Sequence, residues 1–139
     1  MFKTVLIPVD ISVPEDTQKL LHAAKSLTKD WDCDVHIVTV IPNVGMPIVG
    51  SYFDEKYESE TRIAVEKELD AAIASAQISA ESAVLNGTVY DCVISHATKI
   101  DADFIIIGAH QPELRDYLLG SNAARVVRHS KQSVLVLRG

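Results

Sequence analysis

The sequence predicts an α/β domain of the doubly wound class, a five-stranded parallel sheet with helices on both faces. Three observations carry this. Five short apolar runs rich in β-branched residues recur along the chain, and they are near-continuous, as expected of strands buried on both faces. Four segments between them repeat their apolar residues at helical spacing. The resulting order, βαβαβαβαβ, calls for parallel strands joined by right-handed crossovers. The 139 residues, 47% of them apolar, fit one domain spanning 1–139 with a real core.

The first strand is read over residues 3–9 (KTVLIPV), with pairing expected to stop near Pro8, which has no N–H for the ladder. Asp10 follows at its carboxyl end. Ser12, Pro14 and Glu15 then resemble a helix start, with Ser12 as N-cap and Glu15 as its capping-box partner. Leu20, Ala24, Leu27 and Trp31 form the expected buried stripe of a helix that ends near Lys29. A second strand over 35–40 (VHIVTV) leads into a loop holding Pro42, Gly45, Pro47 and Gly50, the densest cluster of breakers and the loop expected to be mobile. Residues 52–76 read as a long helix with Val65, Leu69, Ala72, Ile73 and Ala76 on one side and charge on the other; its Tyr- and Glu-rich first turns are expected to be irregular.

A third strand over 79–85 closes at Asn86 and Gly87. Thr88 is placed to cap a helix with Val89, Cys92, Val93, His96, Ala97 and Ile100 inward. The strand 104–107 (FIII) runs into a loop opened by Gly108. Gly120 and Ser121 precede a helix with Leu119, Ala123, Val126 and Val127 at helical spacing, and residues 133–137 (SVLVL) form the last strand.

Composition excludes several partners. The formal net charge is −6 and no Lys/Arg cluster stands out, which disfavours nucleic acid and anionic membrane surfaces and leaves a small ligand or another protein. Cys33 and Cys92 fit neither a CxxC motif nor a disulfide framework and are read as core thiols of a reducing cytosol. No apolar run approaches the ~18 residues of a membrane span, and the N-terminus enters a strand directly, so a cytoplasmic location is expected.

In a doubly wound sheet, ligands bind beyond the carboxyl ends of the strands where strand order reverses. Asp10, Val40, Gly87 and Gly108 sit at those ends and are expected to converge on one crevice. A glycine-opened loop after a buried strand, followed by a helix start with a hydroxyl, suits an anion, phosphate best of all. Each residue also has a plainer reading: Gly108 as a tight turn, Gly120 as a helix-start glycine, Ser121 as an N-cap, Asp10 as a turn residue. In the functional reading the Asp10 carboxylate accepts a hydrogen bond from an exocyclic amine, which suits adenine. The five histidines show no metal-ligand spacing. His110 alone falls in the proposed loop, where a solvated side chain is the plainer reading, and Arg115 is read as exposed loop.

Absent motifs narrow the chemistry. No GxxxxGK[ST] is present, no GxGxxG follows the first strand, and no GxSxG elbow occurs. A phospho-accepting receiver would need an acidic pair after the first strand and an Asp at the end of the third; a single Asp10 and Leu85, Asn86 and Gly87 stand there.

Five stretches together, VLIPVD, Gly87 to Asp91 as GxxxD, ADFIIIG, LLGSNAARVVRHS and SVLVLR, resemble the universal stress protein family over the whole chain, nearest its short single-domain bacterial F/G type. The resemblance implies a Rossmann-like fold of the adenine nucleotide alpha hydrolase-like kind with strand order 3-2-1-4-5. It also implies a homodimer and, in one large branch, binding of ATP or AMP. The family pattern is G-x2-G-x9-G-[ST], and Gly108, Gly120 and Ser121 match its first glycine, last glycine and hydroxyl. By the same resemblance Pro8, Val9 and Asp10 lie against adenine and Val40 offers backbone contacts. Ala109 and His110 border ribose and phosphates, and Asn122 sits at the phosphate end. The chain departs from the pattern at Gln111, which replaces the second glycine and is followed by Pro112, as in the F/G-type relatives; eight residues, not nine, separate it from Gly120.

The resemblance implies an adenine-nucleotide-binding stress-response protein, a homodimeric sensor or regulator with ATP or AMP as ligand, Mg2+ arriving with ATP, and protein partners unnamed. An apolar final strand at a sheet edge independently calls for a covering partner, most economically its own copy through Ser133–Leu137. Two other readings stay open: a nucleotide-free dimeric interaction module, and slow ATP hydrolysis or autophosphorylation with Ser121 as acceptor. No general base and metal clamp is evident, so no catalytic or metal residue is assigned.

Overall fold

The apolar runs pair into a single parallel sheet. In the computed structural model, which describes residues 2–42, 51–109 and 120–138 (of 51–58 the backbone only), the elements are β1 (Thr4–Pro8), α1 (Pro14–Thr28), β2 (Asp34–Pro42), α2 (Ser51–Ala76), β3 (Glu81–Gly87), α3 (Val89–Lys99), β4 (Phe104–Gly108), α4 (Ser121–His129) and β5 (Ser133–Leu137). The sheet order is β3-β2-β1-β4-β5, every pairing parallel. Gly45, Pro47, Gly50, His110, Gln111, Pro112, Arg115 and Leu119 lie outside the described residues, as do the side chains of the first turns of α2.

Alternation along each strand divides the core in two. Val5 and Ile7 of β1 and Ile106 of β4 pack beneath α1 and α2 with Leu21, Ala24, Leu69 and Ile73. Leu6 of β1 and Ile105 and Ile107 of β4 pack on the other face beneath α3 and α4 with Val93, Ala97, Ala123 and Val126. At the amino ends of the strands Phe2, Trp31 and Phe104 stack as a trio, with ring centroids 4.4 to 5.4 Å apart.

Several local expectations are corrected. Ser12 does not cap α1: Val13 holds that position with no side-chain cap, and Ser12 turns back to Asp10 instead, so the capping box with Glu15 does not form. The buried stripe of α1 is Thr17, Leu21, Ala24 and Thr28, while Leu27 is 38% exposed. The two threonines go inward because their hydroxyls are satisfied there, Thr28 donating to the Ala24 carbonyl at 2.9 Å and Thr17 to that of Asp10 at 2.7 Å. On α4, Val127 is 46% exposed, and the stripe is Ala123 and Val126. Thr88 does precede α3, without a side-chain cap bond.

β3 starts at Glu81, two residues later than expected, because α2 needs Gln77 and Ile78 to close. Gln77 adopts φ 54° and Ile78 N–H returns to the Ile73 carbonyl at 3.5 Å, a Schellman-type ending with both isoleucines buried. α3 closes the same way: Asp101 has φ 55° and Ala102 N–H donates to Ala97 at 2.8 Å. β2 and β3 then run in step from His36 opposite Glu81 to Pro42 opposite Gly87.

Candidate functional site

Strand order reverses between β1 and β4. The chain moves from β1 outward to β2 and β3, then crosses back to β4 and β5, so the connections after β1 and β4 diverge and leave a gap above the sheet. A crevice of about 680 Å³ opens there. Its size is in the range of small-molecule sites, roughly 300–1,000 Å³. It is lined by eight of the positions read from the sequence: Pro8, Val9, Asp10, Val40, Gly108, Gly120, Ser121 and Asn122.

One end of the crevice is a pinned turn. The Val9 N–H donates to the Val38 carbonyl at 2.8 Å, and the buried Thr39 hydroxyl donates to the Val9 carbonyl at 2.8 Å. The Asp10 carbonyl receives both the Thr17 hydroxyl and, at 3.2 Å, the Val13 N–H. Ser12 then gives two donors to a single carboxylate oxygen, its N–H at 3.0 Å and its hydroxyl at 2.5 Å, both to Asp10 Oδ1. The backbone of this turn is therefore committed to the protein. Among the described residues Oδ2 of Asp10 takes no hydrogen bond, so a fixed acceptor faces solvent at the base of the crevice.

The other end is a helix start without a cap. Gly120 is the N-cap of α4 with extended φ −61° and ψ 153°, and it supplies no side chain to bond the first turn. Ser121 is thus the first helical residue, a correction to its reading as N-cap. The first intrahelical bond runs from Ala124 N–H to the Gly120 carbonyl at 2.9 Å, so the N–H groups of Ser121, Asn122 and Ala123 precede it. All three residues line the crevice. No acidic residue sits in the first turn, while Arg128 and His129 complement the carboxyl end, so the positive end of the helix dipole is left uncompensated.

Gly87 and Ala109 belong to the frame of the crevice and are not among its lining residues. Gly87 has φ +140°, and a Cβ placed on it would lie 2.9 Å from Cys92 Sγ, which accounts for the glycine by packing. Burial, followed by the nearby Asp91 charge, pushes the Cys92 thiol up in pKa, so it stays protonated and donates to the Asn86 carbonyl at 3.3 Å. Ala109 is buried, its N–H donating to the Leu137 carbonyl at 2.9 Å. Cys33 and Cys92 are free and half-buried.

Sequence reasoning missed Ser12, Thr39, Val89, Lys19, Glu68 and Arg138, which also line the crevice. Two of these carried a signal. A serine two residues after Asp10 is Asx-turn spacing, and a threonine inside the apolar run VHIVTV needs a partner for its hydroxyl. Among the described residues no group of three His, Cys, Asp or Glu could hold a metal ion, and no helix is long and apolar enough to cross a membrane.

Comparison with known proteins agrees with this architecture. The family model described as the universal stress protein family matches residues 1–138. Universal stress protein G of Salmonella typhimurium is 30% identical over 143 residues, covering 99% of this chain and 100% of that protein. Universal stress protein G of Escherichia coli O157:H7 is 30% identical with the same coverage. A solved universal stress protein in complex with cAMP has a TM-score of 0.72 at 20% identity, covering 99% of this chain and 97% of that one. The universal stress protein from Archaeoglobus fulgidus in complex with dAMP gives 0.67 at 18% identity, with 98% of each chain covered. A family match over nearly every residue, a shared strand order and a crevice at the switch point lead to one assignment: this chain belongs to the universal stress protein family.

Proposed function

We propose that the crevice binds an adenine nucleotide, ATP or AMP, and that the protein serves the stress response as a cytoplasmic homodimeric sensor or regulator and not as a dedicated enzyme. The observation that carries this is the uncapped first turn of α4 in the same crevice as the pinned Asp10 carboxylate. Three backbone N–H groups at a helix N-terminus suit a phosphate, and a fixed carboxylate oxygen suits an exocyclic amine. Solved relatives carrying cAMP and dAMP support the nucleotide class. Mg2+ would arrive on the phosphates of ATP, since the first turn of α4 offers no carboxylate to hold it. The half-buried protonated thiols favour a reducing compartment, and the bare apolar edge of β5 favours pairing with a second copy.

Thermal unfolding with and without Mg-ATP, AMP and GTP tests the reading. Ligand at a hundred times its dissociation constant stabilises by about 2.7 kcal/mol. A shift with adenine nucleotides and a smaller one with GTP is expected. No shift with any nucleotide at saturating concentration overturns the reading and leaves a nucleotide-free interaction module.

A further inference from the structure

The sheet has two free edges, and the protein treats them differently. In a parallel strand the N–H and C=O of one residue point to the same side, and those of the next residue to the other. Leu137 faces β4, since its carbonyl receives the Ala109 N–H, so Val134 and Val136 turn their backbone groups outward. Among the described residues nothing hydrogen-bonds to them. On β3 the outward positions are Ser82, Val84 and Asn86, and the carbonyls of the last two are taken. Arg62 of α2 donates from Nη2 to the Val84 carbonyl at 2.6 Å. Its Nε is held 3.3 Å from Glu66 Oε1 one turn along. The Asn86 carbonyl accepts from the Cys92 thiol, while at Ser82 only the side chain is engaged, its hydroxyl donating to Asp70 Oδ1 at 2.9 Å.

We propose that Arg62 is a gatekeeper that closes the β3 edge to strand addition, so that self-association is confined to β5. Its ion pair with Glu66 is solvent-exposed and adds little stability by itself; what it does is aim the guanidinium at the strand. An unguarded β3 would accept the β3 of a second copy. A pair of chains joined through β5 would then carry two such edges, one at each end, and association would run on without closing. This inference rests on the homodimer reading above for where growth starts, but the closure of β3 is a property of each chain alone.

The test compares wild type with Arg62→Met, which keeps an apolar stem on α2 and removes the donors, by light scattering across a wide concentration range. Wild type should plateau at the mass of two chains, while Arg62→Met should rise beyond it with concentration. Adding Ser82→Pro, which deletes an outward N–H at an exposed position of β3, should restore the plateau. Glu66→Gln, which unfastens Arg62 and leaves it in place, should give a smaller rise and covers the case in which Arg62→Met fails to fold. An unchanged mass for folded Arg62→Met, or growth indifferent to Ser82→Pro, overturns the proposal. A wild type of one chain with Arg62→Met still associating would refute the β5 dimer and keep the gatekeeper.

Discussion

Asp10→Ala separates recognition of the base from support of the turn. The substitution removes Oδ2, the oxygen open to a ligand, and Oδ1, which takes both Ser12 donors. A hydrogen bond from a neutral amine to a carboxylate is worth about 1.5–3 kcal/mol, or roughly a ten- to 150-fold change in affinity. Loosening the Asx turn costs stability as well, about 1 kcal/mol, and that part does not depend on which base is bound. Calorimetric titration with AMP and with purine riboside 5′-monophosphate, which lacks the amine, isolates the first effect. Wild type should prefer AMP by about the stated factor, and in Asp10→Ala the preference should collapse, with the amine-free ligand nearly unaffected. Equal losses for both ligands would mean that Asp10 acts only through the turn, and no loss for either would remove it from the site.

Three further outcomes follow from the geometry. Gly87→Ala places a methyl 2.9 Å from Cys92 Sγ at a φ that L residues rarely adopt, so urea denaturation should show a loss of about 2–4 kcal/mol, partly recovered in the double variant with Cys92→Ala. Nucleotide affinity of the folded fraction should not change, since Gly87 does not line the crevice. Gln77→Gly relieves a left-handed residue at the end of α2 and should raise stability by up to ~1 kcal/mol in the same assay. The Asp103 carboxylate accepts the N–H groups of Lys3 at 2.8 Å and Thr4 at 3.0 Å, and these bonds hold its pKa below the ordinary 3.8. The unfolded chain then takes up the proton first, so the contribution is complete above 3.8 and fades as pH falls through the lowered value; Asp103→Ala should flatten that acid limb of a stability–pH curve.

Much of the architecture was legible because it is written in residue type. Runs such as VLIPV and FIII are β-branched and apolar on both faces, and only a doubly covered strand uses them that way. The α1 face was misread for the converse reason. Thr17 and Thr28 look polar to a periodicity argument, yet each hydroxyl closes on a backbone carbonyl and goes inside, which turns the helix and brings Leu27 to the surface. Ser12 has the side chain of an N-cap, but Asp10 competes for it and wins with a charged acceptor. Of the residues lining the crevice, those at strand ends and glycine punctuation were named from the sequence, while those contributed by long-range pairing were not. Thr39 reaches the Val9 carbonyl from a strand thirty residues away, a contact that no local pattern encodes.

The aromatic trio of Phe2, Trp31 and Phe104 lies at the amino ends of the strands, the pole opposite the crevice. Trp31 is the only tryptophan in the chain. Its intrinsic fluorescence therefore reports the unfolding of the sheet as a whole and stays dark to occupancy of the far rim. A melt followed at this one indole, excited on the long-wavelength edge beyond most of the adenine absorption, reads ligand-induced stabilisation through the unfolding of the sheet.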